Sequence, residues 1–350
     1  MDLDDYTSIK KLDPQNMLAE IDNLPDQLES AWELGRGYSL PTWPNLHQVV
    51  IAGMGGSAIA ADLLGAYLQP VCRSPIFVHR DYGLPAWAIG PETLLIASSH
   101  SGNTEETLDA FEAGIRHDCR LMVITTGGQL AARAVEVGAP VWKFTHTGQP
   151  RAAVGFSFGL LLGIFTHLGL VPDPSTELAS ALAEMRNRHD ELCPEVPASQ
   201  NPAKRLAGQL VGRMVNVLGS GVLAPVARRW KGQMNELAKA AGSFDCLPEA
   251  DHNTLAGLTN PEGALSRTVT IFLRARSDHP RNQLRSRLTQ QAFMLAGLNT
   301  NDHNASGDGP LAQQWSALHF GDYLAYYLAM AYGEDPTPIP SIQDFKHLLG

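Results

Sequence analysis

Ser98-Ser99-His100-Ser101-Gly102-Asn103-Thr104 gathers four hydroxyls, an amide and a glycine into one short stretch. The apolar run Leu94-Leu95-Ile96-Ala97 before it reads as a buried strand, and Leu108, Phe111 and Ile115 after it are spaced for one helix face. The hydroxyls therefore fall where a strand hands over to a helix, beside free backbone N–H groups and a positive dipole end. A single Ser or Thr there would be a plain helix cap. Four around a glycine point to a pocket for a phosphate monoester, with Ser99, Ser101 and Thr104 as ligands and Ser98 as the alternative to Ser99. A second loop, Gly53-Met54-Gly55-Gly56-Ser57-Ala58, follows another apolar segment. It matches GxGxxA, so a dinucleotide site is one reading, with Asp81 as the ribose-binding acid. The Ser57 hydroxyl at the helix start, and the hydroxyl cluster two strands later, fit one phosphosugar better than NAD. Gly55, Gly56 and Ser57 thus join the expected phosphate ligands.

Such loops need strands and helices in alternation. Residues 8–35 read as helical, with Leu18, Ile21, Leu24 and Leu28 at helical spacing, and Pro41-Thr42-Trp43-Pro44 reads as a linker. Strands over 48–52, 75–79, 94–98, 121–125 and 140–144 alternate with helices over 57–68, 104–115 and 130–137. An apolar helix over 156–170 suits a core or a dimer interface. Residues 173–205 are more polar, hold several prolines and read as a helix followed by a boundary. Met214-Val215-Asn216-Val217-Leu218-Gly219-Ser220-Gly221 then echoes the strand, glycine turn and helix of Val49–Ser57. Another strand near 268–273 and helices over 283–295 and 318–332 follow. The fold class is α/β, with two doubly wound subdomains and mainly parallel sheets. The expected organisation is an N-terminal helical segment over 1–45, a first domain over 46–172, a helical connection over 173–212, a second domain over 213–334 and a tail over 335–350.

Composition narrows the function. A chain of 350 residues can bury a large core, and its formal charge of −10 with no Lys/Arg block argues against nucleic acid. An anionic substrate must find local cations or backbone N–H groups. Cys72, Cys119, Cys193 and Cys246 are scattered without CxxC pairing, so reduced thiols are expected and a metal site is not. The acidic start Met1-Asp2-Leu3-Asp4-Asp5 has no signal-peptide core, and no apolar run is long enough to span a bilayer. A cytoplasmic chain with no membrane contact is expected.

Several segments together resemble the bifunctional phosphoglucose/phosphomannose isomerase family of sugar isomerase (SIS) domain proteins. They are GMGGSAIAADLL at 53–64, SHSGNTEET at 99–107, QPRAAVGFSFG at 149–159, RWKGQMNELAK at 229–239, PEADHN at 248–253 and DPTPIPSIQDFKHLL at 335–349. They are ordered as in the family and span nearly the whole chain. One departure is His100, where the family usually has Tyr; its charge could make substrate binding pH-dependent. The resemblance implies two SIS-type subdomains and an isomerase acting on hexose 6-phosphates.

An aldose–ketose isomerase moves a proton between C1 and C2 of the sugar, so it needs a base within reach of the weakly acidic C2–H. Glu236 is the candidate, in the otherwise apolar stretch Gln233-Met234-Asn235-Glu236-Leu237-Ala238. Residue type alone leaves a solvated helix Glu equally open. The resemblance implies that Glu236 stands where the family has its base, and Glu249 is expected to be structural. Ring opening needs a proton carrier near neutral pH, and His252 is the choice, with Asp251 able to orient its ring. The resemblance implies that this histidine reaches a neighbouring subunit's site, hence a homodimer. The negative cis-enediolate needs a preorganised donor, and Arg151 is the best candidate, although a surface Arg is the plainer reading of type alone. Lys346 matches the family's active-site lysine and could aid ring opening; without the match it reads as a solvated tail residue. The resemblance implies that a small polar residue near the tail lets both C2 epimers react, and Thr337 is the candidate. No step needs a metal or a cofactor.

Other function classes remain to be weighed. A non-catalytic sugar-phosphate-binding regulatory SIS protein would keep the hydroxyl loops without Glu236, His252 and Arg151 together. An NAD-dependent oxidoreductase would bind a nicotinamide cofactor. An amidotransferring sugar-phosphate synthase would carry an N-terminal Cys nucleophile, and Asp2 follows Met1 here.

Overall fold

The computed structural model describes residues 2–349; Met1 and Gly350, at the outer ends of the expected first and last segments, lie outside the described residues. The stretch expected as one helical run over 8–35 is three helices: α1 (Tyr6–Leu12), α2 (Met17–Asp22) and α3 (Leu24–Gly37). Pro14 has no N–H to donate and disfavours helical geometry at the residue before it. The Asp13 carboxylate then starts the next helix, accepting from Met17 N–H at 2.8 Å and Leu18 N–H at 3.0 Å. Leu18, Ile21, Leu24 and Leu28 are all buried. Their spacing marks core-facing positions, but the break falls within it.

The chain divides into two compact units, one of Asn23–Thr176 and one of Met1–Asp22 with Glu177–Gly350. In the first, α3 is followed by β1 (Gln48–Ala52), α4 (Gly55–Leu68), β2 (Ile76–His79), β3 (Thr93–Ser99), α5 (Glu105–Arg116), β4 (Arg120–Thr125), α6 (Gly128–Glu136), β5 (Val141–Lys143) and α7 (Val154–His167). The sheet order is β2-β1-β3-β4-β5 and every pairing is parallel. Parallel strands covered on both faces need continuous apolar runs, and every residue of β3 is buried. Each aliphatic side chain there contributes roughly 1.5–3 kcal/mol. The helix expected over 156–170 is α7, and it is buried inside this unit. Its glycines let α3 approach closely: a Cβ on Gly159 would lie 2.7 Å from the Ala31 Cβ.

The second unit begins with α1 and α2 and resumes in α8 (Ser175–Leu192), α9 (Pro202–Leu210), β6 (Met214–Gly219), α10 (Ala224–Glu236), β7 (Gly242–Cys246), α11 (Glu262–Leu265), β8 (Thr268–Arg274), α12 (Pro280–Leu295), β9 (Asn299–Asn304), α13 (Gly309–Tyr332) and α14 (Pro340–Leu349). Its sheet order is β7-β6-β8-β9, again all parallel. This repeats the first sheet without its last strand, so both halves are doubly wound as the sequence implies. The core helix α13 is buried on every face from Leu311 to Met330, the pattern of a helix with no solvent side. Several of its polar groups are matched internally. Asp322 takes two hydrogen bonds from Arg229, at 3.1 and 2.8 Å, and His319 Nε2–H donates to the Ile21 carbonyl at 2.8 Å. All four cysteines are free thiols, and among the described residues no helix is long and apolar enough to cross a membrane.

Candidate active site

In an open parallel sheet, ligands bind where the chain leaves adjacent strands in opposite directions. In the first unit that point lies between β1 and β3. The β1 loop closes onto β3 because position 53 is glycine: a Cβ there would lie 2.7 Å from the Ser98 carbonyl oxygen. Helix α4 starts at Gly55 with no side-chain cap, and Ser57 in its first turn is buried. Its opening N–H groups are therefore placed to face an anion.

The hydroxyl loop takes up the other side. Thr104 is the residue preceding α5, yet its side chain does not cap the helix. Its hydroxyl lies instead 2.9 Å from Ser99 Oγ, which accepts from Gly102 N–H at 3.1 Å. The plain-cap reading of this loop does not hold. Ser101 Oγ accepts from Asn103 N–H at 3.2 Å and stays exposed, while Ser98 and Ser99 are buried. Gly102 has φ +67°, and a Cβ there would fall 1.8 Å from the Gly127 carbonyl oxygen, so the loop tolerates only glycine.

Arg151 belongs to the same unit. It lies in a short 3-10 turn, Pro150–Ala152, and is 4% exposed, so the surface reading of this residue is overturned. The turn packs on the start of α4: a Cβ on Gly56 would meet the Pro150 carbonyl oxygen at 2.6 Å and the Arg151 Cα at 3.5 Å. Gln27 of α3 holds the turn from behind. Its amide donates to the Ala152 carbonyl at 2.9 Å, and its oxygen accepts from Gly155 N–H at 2.8 Å, capping α7. Gly55, Gly56, Ser57, Ser99, Ser101, Thr104 and Arg151 thus share one sheet edge. His100 lies there too, half-buried, with Nε2 2.9 Å from His146 Nδ1 and its ring edge-on to Phe144. His146 escapes sequence reasoning because nothing local marks a partner 46 residues away. Asp81, the acid a dinucleotide ribose would need, is exposed and accepts from the adjacent Tyr82 N–H at 2.8 Å.

The proton-transfer candidates belong to the second unit. Glu236 is the last residue of α10, half-buried beside buried Met234, Leu237 and Ala238. Lys239 then adopts φ +52°, and its ammonium donates to the Leu237 carbonyl at 3.1 Å and the Asp335 carbonyl at 2.5 Å. That clamp joins the end of the Glu236 helix to the start of the tail, where Thr337 is buried. Nothing in the sequence around Lys239 marks this role, because its partner carbonyl at Asp335 lies far along the chain. His252 ends a 3-10 turn, Glu249–His252, and is exposed. Asp251 does not orient its ring: one carboxylate oxygen accepts from Arg285 at 2.8 Å and the other from Thr289 at 2.6 Å, both on α12. Successive residues of a 3-10 turn project about 120° apart, so Asp251 faces the core while His252 faces solvent. Lys346 lies on α14, a helix with no buried residue. The structure does not join Lys346 or His252 to Glu236. Among the described residues no three His, Cys, Asp or Glu side chains are grouped to hold a metal ion.

A family model described as the bacterial phospho-glucose isomerase C-terminal SIS domain matches residues 199–349. A bifunctional phosphoglucose/phosphomannose isomerase from Caldicellulosiruptor bescii is 38% identical over 95% of this chain and 98% of its own length. One from Aquifex aeolicus is 31% identical over 86% of this chain and 90% of its own. Among solved structures, the C-terminal domain of glucosamine-fructose-6-phosphate aminotransferase from Francisella tularensis superposes with a TM-score of 0.71 at 13% identity, covering 92% of this chain and 97% of that one. That likeness shows the fold alone. The identity across nearly the full length of both chains goes further: this chain belongs to the bifunctional phosphoglucose/phosphomannose isomerase family.

Proposed function

We propose that the chain is a metal-independent aldose–ketose isomerase that interconverts glucose 6-phosphate and mannose 6-phosphate with fructose 6-phosphate through a cis-enediolate. The hydroxyl loop carries the reading. Its Thr104 leaves α5 uncapped, and it stands on the same edge as the uncapped start of α4 and the buried Arg151. That arrangement offers a dianion N–H groups, hydroxyls and one guanidinium.

In this mechanism Gly55, Gly56, Ser57, Ser99, Ser101 and Thr104 hold the phosphate. His252 takes the O1 proton and protonates the ring oxygen, with Lys346 lowering the cost of the charge that develops. Glu236 removes the proton from C2 and returns it to C1 while the O2 proton passes to O1, giving the ketose; the reverse sequence gives either aldose. Arg151 stabilises the enediolate oxygen. The two aldoses share that enediolate, so rotation of the C1–C2 unit beside Thr337 gives access to both. The exposure of His252 fits a homodimer in which it serves the neighbouring subunit.

Coupled assays on mannose 6-phosphate and fructose 6-phosphate in EDTA, for wild type and Glu236→Gln, test this. Turnover of both that collapses in the variant is the expected result. Turnover of the glucose–fructose pair alone would leave a single-specificity isomerase. Binding of hexose phosphate without turnover would replace the enzyme with a sugar-phosphate-binding regulatory protein.

A further inference from the structure

We propose that the second unit carries its own binding site for a small phosphorylated, hydroxyl-rich anion, in a cavity of about 540 Å³ at the carboxyl edge of β8 and β9. Its volume falls within the range of small-molecule pockets. The lining includes Arg274, Arg276 and Arg287, with Ser286, Asn304 and Asp278. Three guanidinium groups around one cavity stand out in a chain of formal charge −10.

The place is informative. The segment joining β8 to α12 holds the same position in its sheet as the hydroxyl loop joining β3 to α5. Here Arg276 stands in the loop, with Arg274 at the end of β8 and Arg287 on α12. Arg274 is already oriented, donating from Nε to Ser286 Oγ at 3.3 Å and from Nη2 to Gln290, with Asp302 3.7 Å from Nη1. Arg276 donates to the Gly307 carbonyl at 3.1 Å, and its ion pair with Asp308 at 3.5 Å is solvent-exposed on both sides. Such a pair is weak, so a dianion can take the place of Asp308. Arg287 is exposed and has no hydrogen bond or ion pair among the described residues.

Asp278 decides between a bare anion and a phosphorylated polyol. One of its oxygens accepts from Ser220 Oγ–H at 2.7 Å, and the other has no partner among the described residues. Burial holds this carboxyl above its ordinary value, which weakens its repulsion of a phosphate. A polyol offers such a group several neutral hydroxyls, where inorganic phosphate offers a P–OH only on an ion the carboxyl repels. The site is separate from the proposed base. Glu236 ends α10, which leaves the carboxyl edge of β6 and runs 13 residues away from it, roughly 20 Å.

Calorimetric titration with glucitol 6-phosphate, a hexose phosphate analogue with no carbonyl to isomerise, tests the site on the full chain. Wild type should bind two molecules per chain. Arg276→Glu with Arg287→Glu should bind one and keep kcat within about twofold, and Ser101→Asp, which sets a carboxylate on the hydroxyl loop, should also bind one. A single site that survives the arginine changes and is lost in Ser101→Asp overturns the proposal, as does a count the arginine changes leave at two, or no binding. A single site lost with the arginines and kept in Ser101→Asp supports it and counts against the hydroxyl loop. Should the double variant fail to fold, Arg287→Gln disturbs no contact and should weaken the second site about tenfold; unchanged affinity overturns the proposal.

Discussion

The two units repeat one topology and finish its switch point in opposite ways. Between β1 and β3, the loops present hydroxyls and the uncapped starts of α4 and α5. Between β6 and β8, Ser220 and Asp278 hydrogen-bond to each other across the gap, and a Cβ on Gly221 would lie 2.4 Å from Asp278 Oδ1. The first junction leaves those hydroxyls and helix starts open; in the second the Asp278 carboxyl takes the space between β6 and β8, and the cavity lies beside it towards β9. A shared fold therefore does not distribute function evenly, because the side chains at the strand ends decide what each junction accepts.

The sharpest way to break this comparison is Glu236→Gln. If Glu236 is the base and the hydroxyl loop supplies the grip, kcat should fall ~10²–10⁴-fold, while glucitol 6-phosphate still binds. A parallel collapse of binding and turnover would show that Glu236 is structural. Next in size, Ser99→Ala with Thr104→Val should raise KM roughly 10–100-fold, since hydrogen bonds to charged groups contribute about 1.5–3 kcal/mol. The matching change between β6 and β8, Ser220→Ala, should leave KM alone and lower unfolding free energy by about 1–3 kcal/mol. Urea titration of each variant separates the two outcomes.

Acid should loosen the second unit first. Burial pushes His303 down to about 3 and His319 down to about 4, from an ordinary value near 6.5. Both stay neutral in the fold while the unfolded chain takes up protons, so their contribution is present above pH 6.5 and lost as pH falls towards 4. A melting series from pH 7.5 to 4.5 should show the decline, and His319→Gln, which keeps a donor for the Ile21 carbonyl, should flatten it. The smallest expected effect is at Asp278. Its folded value is raised, so its contribution is lost as pH rises through that value. Asp278→Asn should melt a few degrees higher than wild type at pH 8 and lose that advantage at pH 3.

The sequence is most legible where burial is symmetrical. β1, β3, β4, β6 and β8 announce themselves as apolar runs because helices cover both faces. β9 does not: Asn299-Thr300-Asn301-Asp302-His303-Asn304 has no aliphatic residue and is held by its backbone pairing with β8 at the sheet edge. β7 is another edge strand, short and led by glycine. Helix α13 starts nine residues before the expected Leu318, with Pro310 in its first turn, where a missing N–H costs nothing. At the candidate site, the hydroxyl loop and the glycine loop are readable because the residues that compose them are adjacent in sequence. Burial of Arg151, the turning away of Asp251 and the Lys239–Asp335 clamp depend on partners far along the chain, which spacing does not encode.

The α3–α7 seam has a mechanical meaning. With glycines at 155, 159 and 163 facing Gln27, Ala31 and Gly35, the two helices meet with little side chain between them. There are few rotamers to hop and no thick compressible layer, so the joint is stiff. Gln27 extends that stiffness to the turn that carries Arg151. Under the proposed mechanism the Arg151 guanidinium must be held to within about 0.5 Å of its productive position, and it takes that alignment from a helix over a hundred residues upstream, as a bearing takes its alignment from its housing. Changes along the seam should therefore register as lost accuracy at Arg151 before they register as lost fold.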